Sequence, residues 1–408
     1  MKNRPSLEVA DILRLHGNDF LHAHADHLCG VQRQALHDLA VCRTAALGGH
    51  VEECVGCGEV TIAYNSCRNR HCPKCQAGTR ARWLERERGL LLPVDYHHVV
   101  FTLPHQLNPL VLGNPAACYG LLFHSAWATL REVASDPRYL GAELGAVAVL
   151  HTWGQTLTHH PHLHCVVSGG GLACNAEGIV AEAPHWVSCR PGFFLPVRVL
   201  SAVFRRHYLA GLHTLHAANR LRLGGSLAAL ADAAAFAAWL RPVSACDWVV
   251  HSKPPVHGDA EIVLKYLARY VHRVALANSR LLDLSNGQVT FTYKDYAHGG
   301  KSREMILSAD AFLRRFVQHI LPRGFVKVRH YGLLANRSRA AKLARCRYVL
   351  GVVVPREQAA AGAAAESVAA SSAAHRCPQC GGELVVLLGW PRPRAGEVVA
   401  APAGVDTS

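Results

Sequence analysis

Two Cys-x2-Cys knuckles, Cys54 with Cys57 and Cys72 with Cys75, constrain the fold of this chain more than any other feature. Soft thiolates carried on two tight turns are what tetrahedral zinc asks of a protein, and unrelated core cysteines do not fall into paired spacing. Gly56 and Gly58 let the chain curl around Cys57, and Pro73 stiffens the second knuckle. The expectation is one structural Zn²⁺ held by Cys54, Cys57, Cys72 and Cys75. Cys67, His71 and His50 stand in the same stretch and can replace a ligand, serve a second metal or only pack. A further knuckle, Cys377-x2-Cys380, stands near the end without a matching pair. It reads as a degenerate half ribbon or as a site completed by another cysteine, such as Cys346. The cysteines number 15, an odd count, and their tight pairing fits a reducing compartment that reserves thiols for metal rather than for disulfides.

The charge balance, 43 Lys and Arg against 29 Asp and Glu, gives a net charge of +14 and calls for a polyanionic partner. DNA fits better than a membrane. The longest apolar run, Ser226 to Leu240, carries Asp232 and is too short to span a bilayer, while Met1 to Gly17 is charged throughout and lacks the apolar core of a secretory signal. The expected location is the cytoplasm. Arg68, Arg70 and Lys74 crowd the second knuckle, as in a small zinc module that grips phosphates. Between Arg314 and Arg347, cations such as Lys327, Arg329, Arg337 and Arg339 alternate with Phe325 and Tyr331. Phosphate contacts beside stacking platforms describe a groove for single-stranded nucleic acid.

Between these regions lies Thr158-His159-His160-Pro161-His162-Leu163-His164. Alternate side chains of a strand share a face, so His162 and His164 point the same way and can hold a divalent metal. Tyr96 to Pro104 reads as an earlier strand, a helix follows from Pro115 to Val133, and a second strand spans Val147 to Leu157. After the histidine strand, Gly169-Gly170-Gly171 forces a turn. Two helical stretches and a strand at Trp248 to His251 come next. That order predicts an α+β domain built as a split βαβ (ferredoxin-like) sandwich with insertions.

An amphipathic helix over Ala260 to Val274 follows, with Leu264, Leu267, Val271 and Val274 on its apolar stripe. Lys265, Arg269 and Arg273 gather on its basic face, and Tyr266 and Tyr270, one turn apart, fall together between the two. A phenolate is a competent nucleophile toward phosphorus, and a metal on His162 and His164 could polarise the phosphate it attacks.

Tyr64-Asn65-Ser66-Cys67-Arg68-Asn69-Arg70-His71-Cys72-Pro73-Lys74-Cys75 resembles the zinc module of rolling-circle-type insertion-sequence transposases. His160-Pro161-His162-Leu163-His164 resembles their HUH motif, and Tyr266 with Tyr270 matches the pair of the two-tyrosine members. The resemblance implies an HUH endonuclease fold acting on single-stranded DNA at mobile-element ends and targets. His162 and His164 would bind Mg²⁺ or Mn²⁺, and one tyrosine would keep the 5′ phosphate in a covalent link. For a third metal ligand, His98, Gln155 and His160 are candidates, with His98 first because the first and third strands of such a sheet are neighbours. Replication initiators and relaxases use the same chemistry, and a non-enzymatic zinc-dependent DNA-binding protein is the alternative from another class. The expected organisation is a helical and zinc-binding DNA-recognition module over 1–92, the nuclease over 93–350, an Ala-rich linker over 351–375, and a half knuckle with a disordered tail over 376–408.

Overall fold

The computed structural model describes residues 7–76, 83–84, 87–175, 177–180, 182–256, 260–271, 273–352 and 376–392. The expected linker, from residue 353 on, and the tail beyond 392 lie outside the described residues. The chain is mixed α+β with antiparallel sheets, in two compact units that are not consecutive in sequence. One unit comprises Met1–Gly78, Leu276–Ile320 and Pro355–Ser408; the other comprises Thr79–Ala275 and Leu321–Val354. In this division the hairpin region after residue 275 groups with the cysteine-bearing stretch of the chain.

In the cysteine-bearing unit, helix α1 (Val9–Ala23) opens on a capping box between Glu8 and Asp11 and buries Val9, Ile12, Leu13 and Phe20, which recur at helical spacing. Helix α2 (Gly30–Ala40) buries Ala35, Leu36 and Leu39. Strands β1 (Gly49–Cys54) and β2 (Val60–Tyr64) form an antiparallel hairpin, and β12 (Leu384–Trp390) pairs with the other edge of β1. A second three-stranded sheet contains β8 (Leu281–Ser285), β9 (Gln288–Asp295) and β10 (Lys301–Ser308). The β8–β9 turn is the expected Asn286-Gly287, with φ of 51° and 71°, the left-handed pair that a two-residue hairpin requires. Helix α7 (Ala309–Val317) is capped by the Ser308 hydroxyl, which accepts from the Ala311 N–H, and buries Phe312 and Phe316.

The other unit is organised on one antiparallel sheet. In it, β3 (Tyr96–Thr102), β4 (Ala142–Trp153), β5 (His159–Ala173), β7 (Val250–Val256) and β11 (Val328–Gly332) run in the order β11-β4-β5-β3-β7, and β6 (Trp186–Ser188) pairs with β5. Helix α3 (Pro115–Ser135) connects β3 to β4, which leaves β5 between them and antiparallel to both. Period-2 alternation divides the side chains cleanly. Val99, Phe101, Ala146, Ala148, Leu150, Leu163, Cys165 and Val167 enter a core with α3, α4 (Val197–Ala217) and α5 (Ala233–Ala245), while Val147, Val149 and Val166 face a second core. Val263, Ala268 and Val271 of α6 (Ala260–Val271) belong to that second core, as do Leu343 and Cys346 of α8 (Arg339–Val349).

The three glycines do not end the histidine strand: β5 runs on to Ala173. They permit close backbone approach instead. A Cβ at Gly169 would lie 2.8 Å from the Asp95 carbonyl oxygen, and one at Gly171 would lie 2.0 Å from that of Glu143. Among the described residues no helix is long and apolar enough to cross a membrane.

Candidate active site and cysteine clusters

His162 and His164 lie on one face of β5, as alternation requires, and the neighbouring strands bring further imidazoles to them. The β4–β5 hairpin turns over Gly154–Thr158 in a register that sets His151 opposite His162 and Val149 opposite His164. One nitrogen each from His151, His162 and His164 lies within 4.8 Å of the others, a three-histidine group of the kind that holds a divalent ion. The hydrogen bonds prepare them for it. His151 donates its Nε2–H to the Tyr270 carbonyl at 2.7 Å, and His162 donates its Nδ1–H to the His160 carbonyl at 2.7 Å. The lone pairs are thereby left on Nδ1 of His151 and Nε2 of His162.

His98, the expected third ligand, stands on the same sheet face and is hydrogen-bonded through both ring nitrogens. Its Nε2 is hydrogen-bonded to His164 Nδ1 at 2.8 Å, and its Nδ1 to the Tyr266 hydroxyl at 2.7 Å. Both ring nitrogens are thus engaged, and the third histidine of the cluster is His151, on β4. His160, another candidate, is exposed. Tyr270 donates from its hydroxyl to that of Tyr266 at 3.2 Å, and its ring centroid lies 4.3 Å from that of His164. The expected pairing of the tyrosine helix with the histidine strand is therefore a direct contact within one unit. Burial pushes His98 down to about 3 and His162 down to about 4, and it holds His151 and His164 further below the ordinary imidazole range. All four rings are neutral at pH 7, the form a metal ligand needs.

The helix carrying the tyrosines ends at Val271, before the expected Val274. Lys327, expected on the nucleic-acid groove, donates from Nζ to the Val271 and Arg273 carbonyls at 3.3 and 2.9 Å and so satisfies the C-terminus of α6. Its ammonium also sits over the Trp153 ring. Lys265 and Arg273 are exposed, and the Arg269 side chain lies outside those described. Arg329 covers the Phe123 and Phe325 rings, Arg339 donates to the Asn336 side chain, and Arg337 is exposed.

The cysteines sort into two groups rather than one. Cys72 and Cys75 join Cys42 and Cys67, while Cys54 and Cys57 join Cys377 and Cys380. The expected set of Cys54, Cys57, Cys72 and Cys75 is thus divided, because β1 and β2 carry the first knuckle away on a hairpin and α2 delivers Cys42 to the second. In the Cys42 group, sulfur–sulfur distances are 3.5 Å from Cys42 to Cys72 and 3.6 Å from Cys75 to both Cys42 and Cys67. Tetrahedral zinc with bonds of about 2.3 Å has edges of about 3.8 Å, so the donor set fits a structural Zn²⁺. Hydrogen bonds from the Cys67 and Cys72 thiols draw Cys42 down to about 7.

Of the other cations and histidines expected here, His50 pairs with Glu52 at 2.9 Å and His71 stands outside both groups. Arg68 and Arg70 are exposed. Lys74 is nearly buried, donating to Glu8 at 2.8 Å and to the Cys42 carbonyl at 3.0 Å, and so ties the cluster to the start of α1. Cys346 lies in the core with Val147, Val149 and Val166 and belongs to neither cysteine group.

Sequence reasoning missed His151 and Cys42. A hairpin turn placed at Gly154–Thr158 would have set His151 opposite His162, but Cys42 is a single cysteine at a helix end and carries no such signal.

Residues 12–103 match the family described as "Transposase zinc-binding domain", and residues 145–342 match the family described as "Putative transposase". The chain is 50% identical to "Putative transposase y4qJ" of Sinorhizobium fredii over 86% of either chain. It is 28% identical to "Transposase for insertion sequence element IS801" of Pseudomonas savastanoi pv. phaseolicola, over 75% of this chain and 71% of that one. No solved structure matches it.

Proposed function

Because the chain belongs to the IS91-type insertion-sequence transposases, with their zinc-binding domain in its N-terminal part, we propose that it nicks and joins single-stranded DNA at mobile-element ends through a tyrosine–DNA link. The observation that carries this reading is the hydrogen-bonded meeting of Tyr266 and Tyr270 with a cluster of neutral histidines on one sheet face. The strand order β4-β5-β3-β7, with α3 linking parallel strands across β5, supports its assignment to the split βαβ architecture of HUH nucleases.

His151, His162 and His164 would hold Mg²⁺ or Mn²⁺, in place of the expected set with His98. The ion, when bound, polarises the scissile phosphate and offsets its charge. His164 can offer Nε2 only while its Nδ1 keeps the proton and donates to His98 Nε2. His98, neutral and buried, then carries its own proton on Nδ1, facing the Tyr266 oxygen 2.7 Å away. In this tautomer His98 stabilises the Tyr266 phenolate by hydrogen bonding. The Tyr266 phenol gives its proton to solvent, the phenolate oxygen forms a bond to phosphorus, the bond from phosphorus to the 3′ oxygen breaks, and that oxygen takes a proton from solvent and leaves as a hydroxyl. The 5′ phosphate stays on tyrosine, and a later attack by a 3′ hydroxyl reverses the bond without a nucleotide cofactor. Tyr270 supplies the second nucleophile for the paired step. The net charge of +14 suits a DNA partner.

The test is incubation with single-stranded oligonucleotides of element-end sequence and Mg²⁺ or Mn²⁺, followed by nuclease trimming and mass spectrometry of tryptic peptides. A phosphotyrosine–nucleotide adduct on the peptide containing Tyr266 or Tyr270 is the expected product. An adduct that survives the double substitution Tyr266→Phe with Tyr270→Phe, or no adduct on any end sequence, sinks the proposal.

A further inference from the structure

The knuckle at Cys377 and Cys380 lies beyond both matched families, yet it meets Cys54 and Cys57 in a four-sulfur group. The two knuckles are built alike. Each is Cys-x2-Cys followed by a glycine at positive φ, Gly58 at 71° and Gly381 at 74°, which turns the chain where a side chain would be strained. In each, a backbone N–H points at a sulfur: Gly56 to Cys54 at 3.4 Å and Gly382 to Cys380 at 3.3 Å. Across the pair, Cys54 and Cys380 sulfurs are 3.3 Å apart, and those of Cys57 and Cys377 are 3.6 Å apart. These distances exceed a disulfide bond by more than 1 Å and approach the edge of a zinc tetrahedron, about 3.8 Å.

The space between the knuckles is kept for sulfur. A Cβ at Gly382 would stand 2.9 Å from the Cys54 sulfur and 3.1 Å from that of Cys380, and one at Gly56 would stand 3.4 Å from Cys380. Gly382 is the position where a side chain would crowd the sulfurs, while at Gly56 the added atom would make only ordinary contact. The Val55 N–H donates to the Glu383 carbonyl at 2.9 Å, which leads from the knuckles into the β1–β12 ladder.

We propose that Cys54, Cys57, Cys377 and Cys380 bind a second structural Zn²⁺, which fastens strand β12 to the N-terminal cysteine module. The proposal also accounts for how β12 stays in place. It is an edge strand whose Val385, Val386, Leu387 and Leu388 are about half exposed, on both faces, so apolar burial gives it little hold. A metal shared by two distant segments supplies what that packing lacks, since thiolate ligands release their protons to solvent on binding and the site forms only with both knuckles present.

The experiment uses the full-length chain purified under reducing conditions. Elemental analysis should give two zinc ions per chain, and alkylation mapped by mass spectrometry should find Cys377 and Cys380 protected together with Cys54 and Cys57. Cys377→Ser with Cys380→Ser should lose one zinc and keep the other, leave Cys42, Cys67, Cys72 and Cys75 protected, and release the amides of β12 to rapid hydrogen exchange. One zinc per chain in the unsubstituted protein, two retained in the variant, or free alkylation of Cys377 and Cys380 in the zinc-loaded protein would overturn the proposal. A Cys54–Cys380 or Cys57–Cys377 disulfide in place of metal would overturn it as well. Stoichiometry and alkylation of the unsubstituted protein decide the matter even if the variant fails to fold.

Discussion

Replacing His151 and His98 in turn distinguishes a metal ligand from its supporting partner. His151→Ala removes one of three imidazoles from the cluster and also the Nε2–H bond to the Tyr270 carbonyl, in a position that is 2% exposed. His98→Ala leaves His151, His162 and His164 in place and removes the partner that orients His164, together with the Nδ1 hydrogen bond to the Tyr266 hydroxyl. Loss of an outer partner of this kind costs about 10- to 100-fold in metal affinity. Loss of one ligand in three should exceed that, on the order of 1,000-fold, which is about 4 kcal/mol at 1.4 kcal/mol per decade. The orphaned Tyr270 carbonyl adds about 1–3 kcal/mol to the destabilisation of the His151 variant. Titration calorimetry with Mn²⁺ on each variant, beside urea denaturation without added Mn²⁺, measures both quantities. If His98→Ala weakened Mn²⁺ binding more than His151→Ala, the assignment of His151 as ligand and His98 as partner would be refuted.

Other consequences can be checked separately. Tyr266→Phe should lower formation of the first DNA adduct at least 100-fold while Tyr270→Phe retains it, because Tyr266 is the hydroxyl bonded to His98; equal losses would argue against a privileged first nucleophile. The buried histidines have folded pKa values below their unfolded value of about 6.5, so protons favour the unfolded chain once pH falls through that value. Stability without added Mn²⁺ or Mg²⁺ should therefore be complete above about pH 6.5 and fall toward pH 4, by up to about 1.4 kcal/mol per unit for each such histidine, and a flat urea midpoint between pH 7.5 and 5 would contradict the burial argument. Lys74→Met breaks a nearly buried pair with Glu8 and should cost about 3–5 kcal/mol of stability while leaving the salt dependence of DNA binding unchanged; a shallower salt slope with no loss of stability would make Lys74 a phosphate contact after all.

The sequence by itself determined the chemistry available and most of the local structure. Alternation placed His162 and His164 on one face, helical spacing put Tyr266 and Tyr270 side by side, and Asn286-Gly287 specified its hairpin, because each depends only on the period of a strand or helix or on the φ that glycine allows. Paired knuckle spacing likewise announced zinc. Partnership was decided only by the tertiary structure. Cys42 and Cys377 carry no local mark of the sulfurs they meet, since a tetrahedral site is indifferent to how far apart its ligands lie in the chain. His98 and His151 are both histidines on strands outside the His-x-His stretch. Sheet register alone sets His151 opposite His162, and the approach of the tyrosine helix engages the second nitrogen of His98. Lys327 and Lys74 looked like phosphate contacts by charge alone. Their ammonium groups also meet carbonyls and a carboxylate within their own units, a use of charge that depends on which backbone ends come near.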